Sequence, residues 1–283
     1  MARTAVDVLV PTRDRAAAAG AIASVEAAAT AEPELDVRLH VVEDPEGRGP
    51  AWARNRAAEA GDAPYIALLD DDDAWLAPRL GRAIEVLRKR DPIVLVAGDA
   101  IDDRGRRFLP SQPPPGGEGR DHGSLALDCT ICTSTVTVRR ADWEAAGGMD
   151  ESFACAEDYD LWLRLTRDGR RAHLLPDPLV RRGPDRLSAD PVAMAAATLR
   201  ALESSAHMPE GDEHVVANRH SRAAEGIRVW RDRRGRLRGV WAHGLAKSGE
   251  FGPALEQAVR AVREAPAARV AWTSLIRASL RIR

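Results

Sequence analysis

Through the first hundred residues, short apolar runs alternate with longer Ala-rich stretches in a regular beat. Residues 6–10 form a mainly apolar run that ends at Pro11-Thr12, the pattern of a buried strand feeding a loop. Residues 15–31 carry no breaker except Gly20 and predict a helix. The β-branched segment 36–42 predicts a second strand, ending at Glu43-Asp44-Pro45. Residues 50–60 predict a second helix with Pro50 in its first turn. An apolar strand at 65–69 runs straight into four aspartates, and a helix at 78–90 and a buried strand at 93–97 follow. This β-α-β-α-β-α-β order predicts an α/β fold with a mainly parallel sheet covered on both faces. Ligands of such sheets bind beyond the C-terminal ends of the strands. Thr12, Asp44 and Asp70–Asp72 all fall there.

The beat then changes. Asp103-Arg104-Gly105 reads as a hairpin turn and residues 111–123 as a Pro/Gly-rich loop. Residues 131–138 alternate like a strand, and 141–146 predict a short helix ended by Gly147-Gly148. Residues 157–168 predict an amphipathic helix with Asp158, Leu161, Trp162 and Leu165 on one face. From about Pro191 the chain reads as helical throughout.

Composition narrows the function classes. The 41 basic and 43 acidic residues nearly cancel, which gives no footing for nucleic acid. The positive charge is almost all arginine, with lysine only at 89 and 247. Three cysteines, Cys129, Cys132 and Cys155, make no disulfide framework and read as core or strand thiols. Residues 1–11 lack an apolar signal core, and no apolar run approaches ~20 residues, so a cytoplasmic protein without a transmembrane segment is expected.

The chemistry concentrates at Asp70-Asp71-Asp72-Asp73. Four carboxylates at the end of a buried strand repel one another unless a cation neutralises them. Hard ions such as Mg²⁺ and Mn²⁺ take carboxylate oxygens and complete their shell with water and substrate phosphates. The segment YIALLDDDDAWLAPRL resembles the aspartate-x-aspartate region of family-2 glycosyltransferases with the GT-A fold. Three further blocks agree in order and spacing. VDVLVPTRDR is similar to that family's opening strand and nucleotide loop, and GPAWARNRAAEA to its Ala-x-x-Arg-Asn helix. GGMDESFACAEDYDLWLRL is similar to its Gly-Gly-Phe-Asp-Glu…Glu-Asp block, with Met149 where Phe is usual. The resemblance spans roughly residues 5–188 and leaves the remaining third uncovered.

The resemblance implies a role for each matching residue. Pro11, Thr12 and Arg13 would line the nucleotide, and Asp44 would read its base or ribose. Arg54 would face the nucleotide or diphosphate, and Asp70 and Asp71 would contact ribose and donor sugar. Asp72 would be the direct ligand of a divalent Mn²⁺ or Mg²⁺. Asp158 would be the catalytic base, and Glu157 would position acceptor or loop. Arg182, in a basic loop that closes over the donor in that family, would contact the leaving group. Asp73 is expected to cap the following helix. A Gln-x-x-Arg-Trp element of the processive members is missing, so a single transfer is expected, and the resemblance itself implies inversion as the sugar moves from a nucleotide-diphosphate donor to an acceptor hydroxyl.

The expected division is a catalytic domain at 1–188 and a helical extension at 189–283. The first splits into a nucleotide-sugar half at 1–100 and an acceptor half at 101–188. In the extension, Trp272, Leu275 or Ile276 and Leu280 would form an apolar stripe beside Arg269, Arg277, Arg281 and Arg283. That composition suits an anionic membrane surface; the stripe is expected to pack on the catalytic domain or in a homodimer, with the arginines solvated. Two other function classes compete with this one. An aspartate-based phosphohydrolase wants Ser or Thr shortly after its nucleophile, where this chain has Ala-Trp-Leu. A non-catalytic nucleotide-sugar or partner-binding module of the same fold is the remaining alternative.

Overall fold

The computed structural model describes residues 3–76, 78–107, 120–127, 131–183, 190–205 and 223–280. The chain divides into two compact units: Met1–Leu125 with Cys129–Asp185, and Ala126–Asp128 with Arg186–Arg283.

The first unit is built on one mixed sheet. Its strands are β1 (Thr4–Thr12), β2 (Leu35–Glu43), β3 (Tyr65–Leu68), β4 (Ala74–Trp75), β5 (Ile93–Ile101), β6 (Arg120–Asp121), β7 (Thr137–Arg139) and β8 (Arg171–Arg181). They lie in the order β2-β1-β3-β7-β5-β8-β4, with β6 also on β8. Pairing is parallel for β1 with β2, β1 with β3, and β5 with β8. Short β7 lies antiparallel between β3 and β5, so the parallel pairing is not continuous across the sheet. Val6, Val8, Leu9 and Val10 on β1 and Ile66, Ala67 and Leu68 on β3 are fully buried, as strands covered on both faces must be. Strand β8 has no period-2 signature because Pro176 and Pro178 interrupt it; its pairing with β5 shifts register there.

The helices that lie in or begin in this unit are α1 (Ala19–Ala31), α2 (Pro50–Glu59), α3 (Leu80–Lys89), α4 (His122–Leu127), α5 (Arg140–Ala145) and α6 (Glu157–Leu165). Helix α3 begins without a cap of its own. Buried Glu32, at the end of α1, instead accepts from the backbone amides of Arg79 (3.0 Å), Leu80 (3.1 Å) and Gly81 (2.6 Å). One carboxylate thus satisfies three otherwise orphaned donors and meets the positive end of the helix dipole. The one charge inside β1, Asp7, accepts from Ala63 N (2.8 Å) and Arg140 Nη2 (2.7 Å) and lies 2.8 Å from His40 Nε2. Gly61 makes room for it, since a Cβ there would sit 2.2 Å from Asp7 Oδ2.

The second unit contains α7 (Pro191–Ser205), α8 (Ala223–Ser248), α9 (Phe251–Glu264) and α10 (Arg269–Leu280). Ala242, Ala246, Ala254, Ala258, Ala261 and Ala271 are fully buried between these helices, and such small side chains bring helix backbones close. Arg238 is buried among Glu203, Gln257 (2.8 Å) and Glu264 (3.1 Å), linking α7, α8 and α9.

Candidate active site

Strand β1 ends at Thr12, β2 at Glu43, and β3 one residue before Leu69, so three adjacent parallel strands deliver their loops to one edge of the sheet. Pro11 and Thr12 are buried at the end of β1, while Arg13 is exposed and reaches over Gly47. Thr12 Oγ1 accepts from Asp14 N (3.1 Å) and donates to Asp71 Oδ2 (2.7 Å), tying the first loop to the aspartate turn. Asp44 follows β2, its amide bonded to Thr12 O (2.8 Å). Its Oδ2 accepts from Gly49 N (2.8 Å). Burial alone would push the Asp44 carboxyl up, but the amides of Gly49, Arg48 and Gly47 outweigh it and hold the group below its ordinary value. The other oxygen, Oδ1, is buried with no hydrogen-bond partner among the described residues, so an acceptor stands ready for a donor group of a ligand.

Arg54 projects from α2 into the protein and is 4 % exposed. Its guanidinium forks between two carboxylates: Nη2 donates to Asp70 Oδ1 (2.6 Å) and Nη1 to Glu157 Oε1 (2.7 Å). The Met149 sulfur lies 3.7 Å from Nη1. Despite the cost of burial, the charges of Asp70, Glu157 and Asp158 hold Arg54 firmly protonated. Burial pushes the Glu157 carboxyl above its usual range, with Arg54 opposing and neighbouring Asp158 adding to the rise. The guanidinium pairs with a carboxylate at each end, so Arg54 and Glu157 form a braced pair, while Arg54 Nε is buried with no hydrogen-bond partner among the described residues.

Asp158 is half-buried in the first turn of α6, after Ala156 in the left-handed region (φ 60°). Its Oδ2 accepts from the Thr133 hydroxyl and its Oδ1 from Tyr159 N (2.6 Å). Two donors on two different oxygens fix the carboxylate's direction.

Asp70 and Asp72 remain partly exposed, whereas Asp73 turns inward. The expectation that Asp73 caps a helix is not met. Two-residue β4 follows the aspartate turn, α3 starts only at Leu80, and Glu32 caps it. The Asp73 carboxylate accepts instead from Gly183 N (2.8 Å) and the Ser134 hydroxyl. Burial, then the charges of Asp70 and Asp72, raise its pKa to about 6. Gly183 packs so closely that a Cβ would lie 1.9 Å from Asp72 O, a contact only glycine permits. Arg182 is thereby held beside the aspartate turn, its amide bonded to Ile101 O (2.8 Å). The rest of the expected basic loop, 184–188, lies outside the described residues, as do Cys129, most of the 111–123 loop, and Arg281 and Arg283.

Sequence reasoning missed the floor of this site. Residues Thr133–Thr135 form a single 3₁₀ turn, where a strand was expected, and all three are buried. Ser134 Oγ accepts from Asp70 N (3.1 Å), and its carbonyl accepts from Trp75 Nε1 (3.0 Å) and Arg79 Nη1 (3.1 Å). Fully buried Arg79 lies over the Trp75 ring (4.6 Å), and burial brings its pKa down to about 9. The polar run Thr-Ser-Thr inside an apolar stretch was the available signal for the turn. Arg79, at the start of an ordinary-looking helix, gave none.

Among the described residues no group of three His, Cys, Asp or Glu side chains is set to enclose a metal. A Mg²⁺ or Mn²⁺ ion held by one or two carboxylates and completed by substrate phosphates needs no such cage. Partly open Asp72, a hard oxygen donor in the turn after β3, fits that arrangement.

Comparison with known proteins places this geometry. The family described as "Glycosyl transferase family 2" matches residues 22–146. The putative glycosyltransferase EpsE of Bacillus subtilis (strain 168) is 28% identical over 149 residues, which cover 50% of this chain and 51% of that protein. The chain spans about half the length of the curated relatives it matches. Two solved structures share the fold. S. aureus TarS 1-349 in complex with UDP-GlcNAc has a TM-score of 0.59 at 13% identity, covering 96% of this chain and 88% of that one. The mannosyltransferase PcManGT from Pyrobaculum calidifontis, in complex with GDP-Man and Mn²⁺, has a TM-score of 0.55 at 17% identity, covering 99% and 87%.

Proposed function

We propose that this chain, whose residues 22–146 match the family-2 glycosyltransferases and whose first unit has the GT-A fold, moves a sugar from a nucleotide-diphosphate donor to an acceptor hydroxyl, once per encounter and with inversion. The observation that carries the reading is the bonded chain at the sheet edge: Asp44 to Thr12, Thr12 to Asp71, and Asp70 to Arg54 to Glu157. Five segments of the chain are locked together where nucleotide and diphosphate would lie.

In this reading Asp44 Oδ1 receives a donor N–H or O–H of the base or ribose, and Pro11, Thr12 and Arg13 line the nucleotide. Asp70 and Asp71 face ribose and sugar, and Asp72 is the direct ligand of a divalent Mn²⁺ or Mg²⁺. When bound, that ion neutralises the charge growing on the leaving diphosphate; Arg182 adds a second positive contact. Arg54 is recast from a diphosphate contact to the brace that sets Asp70, with Glu157 as its counter-charge. Asp158 takes the proton of the acceptor hydroxyl as its oxygen bonds to the anomeric carbon. The sugar–phosphate bond breaks on the opposite face and releases the nucleoside diphosphate. Thr133 and Tyr159 N hold Asp158 in place for this, and the nearby Arg54 charge keeps the two adjacent carboxylates from repelling each other unchecked. The relatives bound to UDP-GlcNAc and to GDP-Man with Mn²⁺ support a nucleotide-sugar donor and a metal-assisted departure for this chain as well.

The test is Asp158→Asn, which keeps the size and the Thr133 contact but removes the base. Donor affinity is expected to hold while nucleoside diphosphate release with acceptor falls by about 10²-fold or more. Turnover near that of the native chain would remove Asp158 from the mechanism.

A further inference from the structure

Helix α10 is built inside out. The face it packs inward is made of small residues, Ala271, Ser274 and Ala278, all nearly inaccessible. Its large apolar side chains point away: Trp272, Ile276 and Leu280 are 47%, 55% and 64% exposed, three of the five exposed large hydrophobic side chains among the described residues. They recur every fourth residue and so share one stripe, with exposed Arg269 at its start. A surface helix that merely completes a core does the reverse. Three large side chains left in water on one face, while alanine fills the interior, imply that something else covers them.

Charge selects the occupant. Residues 265–283 contain four arginines and no acidic residue, so the stripe lies in a purely basic stretch of chain. Pairing this face with its own copy across a two-fold axis brings two purely basic stretches together, with no acidic residue on either to offset the charge. An anionic lipid surface offers complementary charge to the arginines and an apolar layer to the stripe, and indole is a side chain suited to that boundary. We propose that the Trp272–Ile276–Leu280 face of α10 docks on anionic phospholipid, seating the protein on a membrane surface without crossing it. No helix among the described residues is long and apolar enough to span a bilayer. The inference stands independently of the sugar-transfer reading.

The experiment is co-sedimentation of the full chain with phosphatidylcholine vesicles, with and without phosphatidylglycerol. Binding is expected only to the phosphatidylglycerol vesicles and should weaken with salt, since each arginine near such a surface is worth about fivefold in partition. Trp272→Gln with Ile276→Gln and Leu280→Gln should lower partition by at least about tenfold, because the stripe's burial is lost. A second variant, Ile276→Gln with Leu280→Gln, spares the bond from Trp272 Nε1 to Pro266 O (2.7 Å) and should fall in the same direction with its circular dichroism unchanged. The proposal is overturned if the native chain stays in the supernatant, or if the Gln variants bind as it does. A dimer in light scattering that these variants convert to monomer, with no vesicle binding by the native chain, would overturn it too and assign the face to a second copy.

Discussion

Replacing Arg54 by Met tests the brace at the heart of the site. Met matches the length of the side chain and removes its charge, leaving Asp70 and Glu157 without their shared partner. The two carboxylates do not suffer equally. The Asp70 side chain is 34% exposed and can turn to water, whereas Glu157 is only 7% exposed and already raised by burial. Breaking a buried pair from one side costs about 3–5 kcal/mol, mostly as the penalty on the stranded charge. Glu157→Gln should cost less, about 1–3 kcal/mol, because Arg54 keeps Asp70 and an amide oxygen to bond. With both changes no charge is stranded at Glu157, so the double variant should be more stable than the sum of the singles by about 1.5–3 kcal/mol. Urea unfolding of the four proteins by circular dichroism measures this coupling. Should Arg54→Met fail to fold, the same cycle with Arg54→Lys applies, since one ammonium cannot fork between both carboxylates. A coupling below about 0.5 kcal/mol would mean that Arg54 and Glu157 do not depend on each other, and the brace would be refuted.

Asp73 gives a pH signature of unusual sign. Its folded pKa, about 6, lies above the ordinary carboxylate value, so its cost to the fold is absent below about pH 4 and grows as pH rises toward and past 6. Without added metal, Asp73→Asn should stabilise the protein at pH 7.5 and change little at pH 4, where urea midpoints compare the two; equal shifts at both pH values would contradict the assignment. Glu32→Ala strips three amides at the start of α3 of their acceptor and should cost about 2 kcal/mol in the same assay. Glu32→Gln should recover part of that loss, and a neutral Glu32→Ala would mean the cap does not matter.

What the sequence could and could not reveal follows from the range of the forces involved. The strands at β1, β2 and β3 and helix α2 were legible because their periodicity and breakers are local. Their loops had to converge once the β-α beat was recognised. Non-local pairing was not legible: nothing near Thr137–Arg139 says that it inserts between β3 and β5, and Pro176 and Pro178 hid an eleven-residue strand. In the site, residue types announced Asp70–Asp72 and Asp158, whereas partnerships did not announce themselves. Arg54 facing Glu157 across 103 positions, Asp73 turning to Gly183, and Ser134 beneath Asp70 are products of tertiary packing. The same limit applies to α10, whose stripe was readable but whose outward orientation was not.

The central claim, a nucleotide-diphosphate site whose metal rests on Asp72, is tested most directly by isothermal titration calorimetry of UDP and GDP in the presence and absence of Mn²⁺. Asp72 is partly exposed in a turn, so Asp72→Ala should keep the native circular dichroism and melting temperature. The native chain is predicted to bind one of the two nucleotides only when Mn²⁺ is present, and Asp72→Ala to bind neither. Equal, metal-independent binding by both proteins, or none by the native chain, would contradict the account.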